Sequence, residues 1–328
     1  MDKIIEKAVR EFGEKERKTG PYKESTIKIY VSNISNLHNI CCGDVPFTDL
    51  DWLKDHKKVD EYLLGEKLAT RRNYINSIVV ALNTQNPKNN GLLRVYEMKR
   101  DVLNDATKKS KKNGLTDKQQ EVFKKVSKDK MNSFVDGIDL GKQLFNFNEY
   151  MMGMILKIHQ KYPFRNELAE MDIIGVRPYY RLGEEEKKKN WCVIGRNDGK
   201  VCLKFVLNVY KTSKTYGQRV IEVSYEIVPM IMTWLIKVRG FEKVNTFSEP
   251  VPMLCWKNGN PISRNEMTHK LSDHTQKHLG AKISTTLLAK YFNPELDTKK
   301  PMTTTALFEM DKKLSARGHS LTTNLENY

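Results

Sequence analysis

The chain has few cysteines and no long apolar segment. Its five cysteines are an odd number in 328 residues, and none shows the C-x-x-C spacing of a zinc site, so we expect free structural thiols. The most apolar run, "YMMGMILKIHQ" at 150–160, is too short to span a bilayer and includes Lys157 and His159. The opening segment is charged throughout and lacks the apolar stretch of a signal peptide. We expect an intracellular protein, of the cytosol or nucleus, without a membrane span.

Acidic residues are in deficit, with 56 Lys+Arg against 40 Asp+Glu and a net charge of +16. Such a surplus favours a polyanionic partner, with nucleic acid first and an anionic membrane surface second. The seven histidines are dispersed, and the closest group, His269, His274 and His278, has no carboxylate or cysteine at ligand spacing. We interpret that group as a solvated, basic helix face, and we expect neither a metal ion nor a cofactor.

Two segments in the first third share a pattern of apolar and polar positions. "STIKIYVSNI" at 25–34 and "ATRRNYINSI" at 69–78 both read small-Thr-x-x-x-Tyr-x-x-x-Ile. The spacing predicts two helices, although any pair of amphipathic helices would explain it as well. One face of each helix carries the apolar and aromatic positions: Ile27, Tyr30, Ile34 and Leu37, then Tyr74, Ile78 and Leu82.

The organisation of the chain predicts two domains. Residues 1–113 form a helical bundle, and the lysine-rich segment "KKSKKNGLTDKQ" at 108–119 has the composition of an exposed linker. Residues 114–328 form the second domain. Up to 113 there are 22 Lys+Arg against 16 Asp+Glu, and the remainder carries 34 against 24, so both parts are basic. Two tethered basic domains can close around a DNA duplex as a clamp.

The second part changes from helical to strand patterns and back. After two helical segments come "NWCVIGR", "KVCLKFVLNVY" and "QRVIEVS", which are rich in β-branched and aromatic residues and separated by turn signals at "NDG" and "SKTYG". They predict a three-stranded antiparallel sheet, followed by further helices. The predicted fold class is mainly α with a small antiparallel sheet, the second domain being mixed α+β.

Cleavage of a phosphodiester without metal needs a nucleophile, cations for the non-bridging oxygens and an acid for the leaving alkoxide. Arg165 in "YPFRNELAEMDI", at a predicted helix start, has a guanidinium that fits two phosphate oxygens, although an ion pair with Glu167 or Glu170 explains it equally well. Lys211 and Lys214 lie at the tip of the second predicted hairpin, where most lysines are only solvated. His319 and Tyr328 lie in "GHSLTTNLENY", which is otherwise an ordinary frayed end.

These residues in this order resemble the tyrosine recombinases, the integrase family, and in particular the versions carried by viruses and mobile elements. The resemblance extends over nearly the whole chain. The paired segments "STIKIYVSNI" and "ATRRNYINSI" look like the helical core-binding domain, and the remainder looks like the catalytic domain. "YPFRNEL" is similar to the box of the first catalytic arginine, "YKTSKTYG" to the hairpin lysine, and "ARGHSLTTNLENY" to the Gly-His-Ser box with its nucleophilic tyrosine.

The resemblance implies DNA strand breakage and rejoining by Tyr328, through a 3′-phosphotyrosyl intermediate and without metal. Arg165 would stabilise the transition state, Lys211, or alternatively Lys214, would protonate the leaving oxygen, and His319 would bind the phosphate or assist proton transfer. A phenol has a pKa of about 10, so cations in the site would also make the phenolate accessible. The family resemblance further implies double-stranded DNA as partner and self-association on DNA as a dimer or tetramer.

The chain departs from the family pattern in the box His-x-x-Arg, which "STTLLAKYF" at 284–292 matches only in outline. The expected histidine is Thr286 and the expected arginine is Ala289, as a deliberate inactivating substitution would also produce. Lys290 is a possible substitute, although neighbouring residues on a helix are rotated by about 100°. The family's usual acid lies three residues after the arginine, whereas Glu167 lies two after Arg165. Recombinases also usually continue beyond the tyrosine, so a chain ending at Tyr328 would make its exchange contact elsewhere.

Three functions therefore stay open. A recombinase or integrase of a viral or mobile element is the leading hypothesis. A type IB topoisomerase would use the same covalent chemistry without synapsis, but the paired-helix domain argues against it. A catalytically impaired DNA-binding relative would keep the charge and the fold, and Ala289 is the residue that favours it.

Overall fold

The computed structural model describes residues 2–15, 20–110, 115–162, 164–210, 213, 217–242 and 247–292. These residues are mainly helical with one small sheet, which confirms the coarse fold class. The chain divides into two units, Met1–Lys112 and Asn113–Tyr328, next to the predicted boundary at 113. Each unit has its own hydrophobic core. Over the ranges given, no helix combines the length and the apolar character needed to cross a membrane.

The first unit is a helical bundle. Its helices are α1 (Asp2–Lys15), α2 (Glu24–Cys42), α3 (His56–Leu64), α4 (Leu68–Asn83) and α5 (Asn90–Lys109). The two segments with the shared pattern lie on α2 and α4, which pack against each other. Two side-chain hydrogen bonds join them, from Asn33 Nδ2 to Ser77 Oγ at 2.9 Å and from Asn36 Nδ2 to the Tyr74 hydroxyl at 2.6 Å.

The predicted apolar faces of α2 and α4 point into the core of this unit. Tyr30 is half-buried and packs at the edge of that core. The other positions are buried: Ile27, Ile34, Leu37, Tyr74, Ile78 and Leu82. Burial of each such aliphatic side chain contributes roughly 1.5–3 kcal/mol, which is why the helical period of the apolar residues was sufficient to predict these helices.

The second unit is built around one nearly buried helix, Phe147–Lys161. Its helices are α6 (Asp117–Lys125), α7 (Lys128–Asp136), α8 (Phe147–Lys161), α9 (Val176–Arg181), α10 (Glu184–Lys187), α11 (Val228–Thr233), α12 (Arg264–Leu279) and α13 (Thr285–Tyr291). A π-helical turn, Trp234–Val238, follows α11. The apolar run at 150–160 belongs to α8, which is buried on most sides, and this accounts for its composition.

The sheet differs from the prediction in strand number and direction. It contains β1 (Met171–Gly175), β2 (Asn190–Asn197), β3 (Lys200–Leu207), β4 (Arg219–Glu222) and β5 (Val251–Pro252), in the order β4-β3-β2-β1-β5. The three predicted strands form the antiparallel part β2-β3-β4, and the turn at Asp198 and Gly199 has positive φ at both residues, as "NDG" predicts.

The prediction of a purely antiparallel sheet was wrong because β1 pairs in parallel with β2. A parallel pair needs a crossover connection, which α9 and α10 supply here. β1 was not predicted because its five residues follow directly on the Arg165 segment, with no turn signal in the sequence to separate the two. β5, the other added strand, has only two residues and is too short to detect by periodicity.

Candidate functional site

The described residues contain three of the seven predicted site residues, namely Arg165, Ala289 and Lys290. The other four, Lys211, Lys214, His319 and Tyr328, lie outside the described ranges.

Arg165 lies in a turn that leads into β1, so the expectation of a helix start at this residue was wrong. Side chains satisfy the backbone of the turn and so replace a helical hydrogen-bond pattern. The Arg165 backbone N–H donates to Glu167 Oε2 at 2.6 Å, and the Arg165 carbonyl oxygen lies 3.1 Å from His159 Nε2. The carboxylate of Glu167, which the sequence suggested as an ion-pair partner of Arg165, therefore positions the arginine's backbone. Glu170, the other acid considered, pairs with Arg264 at 2.7 Å.

His159 anchors the Arg165 turn to α8. The ring is fully buried, and its Nδ1 lies 2.8 Å from the carbonyl oxygen of Ile155. Burial lowers the pKa of His159, and the two carbonyl contacts and the charge of Glu167 only partly oppose this shift. The imidazole is therefore neutral near pH 7 and carries one N–H, which it donates to one of the two carbonyls.

Asn166 connects the same turn to two distant helices. Its side-chain Oδ1 accepts a hydrogen bond from the Thr285 hydroxyl of α13, and the Thr268 hydroxyl of α12 lies 3.3 Å away. Thr285 is one helical turn before Ala289. The segment of Arg165 and the segment of Ala289 thus lie side by side, although 119 residues separate Asn166 from Thr285.

The outer face of α13 carries no guanidinium. Thr286 is exposed and Ala289 is half-buried. The helix begins at a Ser284 N-cap, whose hydroxyl accepts from the Leu287 N–H at 3.3 Å. Lys290 Nζ lies 3.5 Å from Gln119 Oε1, so the lysine considered as a substitute contacts α6.

Tyr291 has a structural role in this helix. Its hydroxyl donates to the carbonyl oxygen of Val126 at 2.8 Å, and its ring stacks on Phe123 at 4.1 Å between centroids. Burial raises the pKa of Tyr291 to about 12. A buried phenol engaged with a core carbonyl is a poor nucleophile, so Tyr291 does not compete with Tyr328 for that role.

Arg219 is a further candidate cation that the sequence reasoning missed. It begins β4, its Cζ lies 5.4 Å from the centre of the Tyr210 ring, and the charge of Glu167 acts on it. Burial lowers the pKa of Arg219, with Tyr210 and Glu167 opposing the shift, but a guanidinium stays charged at neutral pH. In the sequence, its position immediately after the segment of both candidate lysines could have identified Arg219 as a candidate.

The base of that lysine-bearing segment is closed by side-chain hydrogen bonds. The Tyr210 hydroxyl donates to the Gly217 carbonyl oxygen at 2.8 Å, and Gln218 Nε2 donates to Asn208 Oδ1 at 2.9 Å. Asn190 Oδ1 accepts from the backbone N–H groups of Asn208 and Val209 at 2.9 and 2.8 Å. The start of the segment between β3 and β4 is therefore held against β2, and its end is held to its start.

The histidine group on α12 is exposed at His269 and His278, as expected, but not at His274. His274 is only 8% exposed, and the ring of His278 stacks on Phe134 at 5.7 Å between centroids. His269 is exposed, as predicted. The sequence interpretation failed for His274 because the partner residue Glu149 comes from α8, far away along the chain.

Comparisons with known proteins add no family assignment, since no protein-family model matches the chain and a search of curated proteins found no significant match.

Proposed function

We propose that this protein breaks and rejoins DNA strands in the manner of a tyrosine recombinase. The Tyr328 oxygen attacks the scissile phosphorus, the bond from phosphorus to the 5′ oxygen breaks, and Lys211 or Lys214 supplies the proton of the released 5′-hydroxyl. Arg165 and His319 bind the non-bridging oxygens, where negative charge grows in the transition state. Attack of a 5′-hydroxyl on the phosphotyrosine reverses the reaction and regenerates the tyrosine.

The observation that carries the proposal is the hydrogen bond between Asn166 and Thr285. It holds the Arg165 turn beside the helix of Ala289, and the reaction requires these two segments to face one phosphate. The charge of Glu167 acts on Arg219, a further guanidinium, which begins the strand that follows the two candidate lysines. Convergence of cations from separate parts of a chain is what binding a phosphodiester demands.

The partner in this proposal is double-stranded DNA. The net charge of +16 is shared by both parts of the chain, so each unit supplies phosphate contacts. Self-association on the DNA would bring two cleaved duplexes together for strand exchange.

One observation favours a catalytically impaired DNA-binding relative as second candidate. Ala289 offers only a methyl group where the second arginine is expected, and Lys290 contacts Gln119. A protein with this site would bind DNA through both units but would cleave it slowly or not at all.

The test uses a pool of nicked DNA duplexes with randomised sequence. Nicked duplexes with the terminal sequences of candidate mobile elements are added to the pool. Cleavage beside a nick releases a short fragment that diffuses away and leaves the protein covalently attached to DNA. We expect an adduct on a denaturing gel, mapped to Tyr328 and lost in Tyr328→Phe while DNA binding persists. An adduct that survives this substitution would show that the nucleophile is a different residue.

Two comparisons separate the alternatives. An adduct seen only in Ala289→Arg would indicate an impaired relative, and no adduct in either protein would reject the cleavage proposal. Relaxation of supercoiled plasmids without joining of separate duplexes would indicate a type IB topoisomerase.

A further inference from the structure

Three side chains of metal-ligand type converge between α8 and α12. Glu149 lies in the first turn of α8, and His274 and His278 are one turn apart on α12. One donor atom of each lies within 4.8 Å of the other two, and no other group of three in the described part of the chain meets this condition. We call these residues the Glu-His-His cluster.

Two of the three donor–donor distances within the cluster match those between the ligands of a tetrahedral metal ion. Glu149 Oε2 lies 3.4 Å from His274 Nδ1 and 3.3 Å from His278 Nε2. Ligand bonds of about 2.0–2.1 Å at tetrahedral angles put neighbouring donor atoms about 3.4 Å apart. A cation could therefore bind to all three donors with small side-chain movements.

The chemistry of the cluster selects the metal. Two imidazoles and one carboxylate suit Zn²⁺ and related divalent transition metals better than Mg²⁺ or Ca²⁺, which prefer oxygen ligands. Phe134 packs against both histidine rings and limits their orientations.

Lys277 is the feature that opposes metal binding. Its Nζ donates to Glu149 Oε1 at 2.7 Å and adds a positive charge near the cluster. The ammonium uses Oε1, however, and leaves Oε2 directed at both histidines. Lys277 is well exposed, so its side chain has room to move outward, and its charge weakens metal binding without preventing it.

We propose that Glu149, His274 and His278 bind one Zn²⁺ ion, which fastens α8 to α12, with a water molecule as the fourth ligand. The same two helices position the Arg165 turn at their other ends, through His159 and Thr268. Thr268 and His278 are about 15 Å apart along α12, so the ion would stabilise the packing without contacting the reacting phosphate.

The first experiment titrates the full-length, untagged protein, freed of metal by a chelator, with Co²⁺ and then Zn²⁺. We expect one equivalent of Co²⁺ to bind with the visible absorption of a tetrahedral site, and Zn²⁺ to displace it. Zn²⁺ should also raise the thermal midpoint, because it binds only the folded cluster. Absence of binding, or a spectrum with thiolate charge-transfer bands from the cysteines, would overturn the proposal.

Substitutions on α12 provide matched variants. His278→Gln, at the more exposed ligand, should weaken binding at least about tenfold and abolish the zinc-dependent rise in midpoint. His269→Gln removes an exposed histidine of the same helix and should bind metal as the parent does. Equal binding by all three proteins would contradict the assignment.

The Lys277→Met variant distinguishes a metal site from a purely structural ion pair between Lys277 and Glu149. Removing the ammonium takes away a like charge from beside the bound ion, and we expect metal affinity to rise by about tenfold. An unchanged or lower affinity would mean that no metal ion binds beside Glu149.

Discussion

The side-chain oxygen of Asn166 accepts a hydrogen bond from the hydroxyl of Thr285, 119 residues further along the chain. This bond ties the turn of Arg165 to the first residue of α13, the helix that carries Ala289. Loss of the donor of this part-buried hydrogen bond costs roughly 1–3 kcal/mol, so the contact both holds the fold and keeps two parts of the candidate site together.

Replacement of Thr285 by valine tests this contact. The shape is retained and the donor is lost, so we expect Thr285→Val to lower the free energy of unfolding by about 1–3 kcal/mol and to slow cleavage of a nicked duplex more than it weakens DNA binding. Denaturant unfolding and single-turnover assays measure the two effects. The control is Thr286→Val at the exposed neighbouring position, where the change should stay within about 0.5 kcal/mol. Equal effects at both positions would refute the role of the Asn166 contact.

Ala289→Arg should increase the rate of the cleavage step. A second guanidinium would bind chiefly the oxygens of the transition state, and such donors are typically worth roughly 10²–10³ in rate. DNA affinity, which depends on many phosphates, should change little. Ala289→Gln adds length without charge and is the control. If the arginine variant cleaves no faster than the glutamine variant on the same nicked duplex, "STTLLAKYF" does not correspond to the second arginine box.

Arg219→Gln should slow the same reaction. Glu167, whose carboxylate positions the Arg165 backbone, acts electrostatically on Arg219, so we expect loss of the Arg219 charge to remove a cation from the candidate phosphate site. We expect a rate loss of about tenfold or more with little change in DNA affinity. Arg196→Gln, at an exposed arginine of β2 in the same sheet, is the control for loss of one positive charge. Similar losses in both variants would assign Arg219 to general electrostatic attraction.

His159 should make stability depend on pH. Burial lowers its folded-state pKa below the unfolded value of about 6.5, so below that pH the unfolded chain binds a proton that the folded chain does not. Stability is therefore greatest above pH 6.5 and falls as the pH is lowered, by up to about 1.4 kcal/mol per pH unit, until the folded-state pKa is reached. Denaturant unfolding of His159→Gln should show a shallower decline, whereas His269→Gln should match the parent. Parallel profiles for the parent and His159→Gln would contradict this assignment.

Binding to duplex DNA should depend strongly on salt. Phosphate contacts release counterions, so the logarithm of the DNA-binding constant should fall against the logarithm of the salt concentration with a slope of several units.

Cleavage of the chain between residues 108 and 115 should give two pieces that each bind DNA more weakly than the whole chain, because tethering supplies effective concentration. A slope near zero would exclude a phosphate-binding function, and full affinity in one piece would exclude a clamp.

Local patterns in the sequence were sufficient for several elements. The spacing of Ile27, Ile34 and Leu37 predicted a buried face on α2, and "NDG" predicted the turn between β2 and β3. Each of these depends on residues within a few positions of one another, where helical or strand period alone decides which side chains share a face. The parallel pairing of β1 with β2 escaped detection because neither strand's own pattern identifies its neighbour.

The sequence by itself determined the basic charge, the helical period of the first unit and the order of the candidate catalytic residues. Only the tertiary structure decided that Asn166 meets Thr285, that the charge of Glu167 acts on Arg219, and that Glu149 joins two histidines more than 120 residues away. The physical reason is that covalent neighbours set the period of an element, whereas packing of the finished core sets which distant side chains meet. The sequence does not show that a carboxylate on one helix lies near imidazoles on another. Their proximity arises only when the two helices pack against each other.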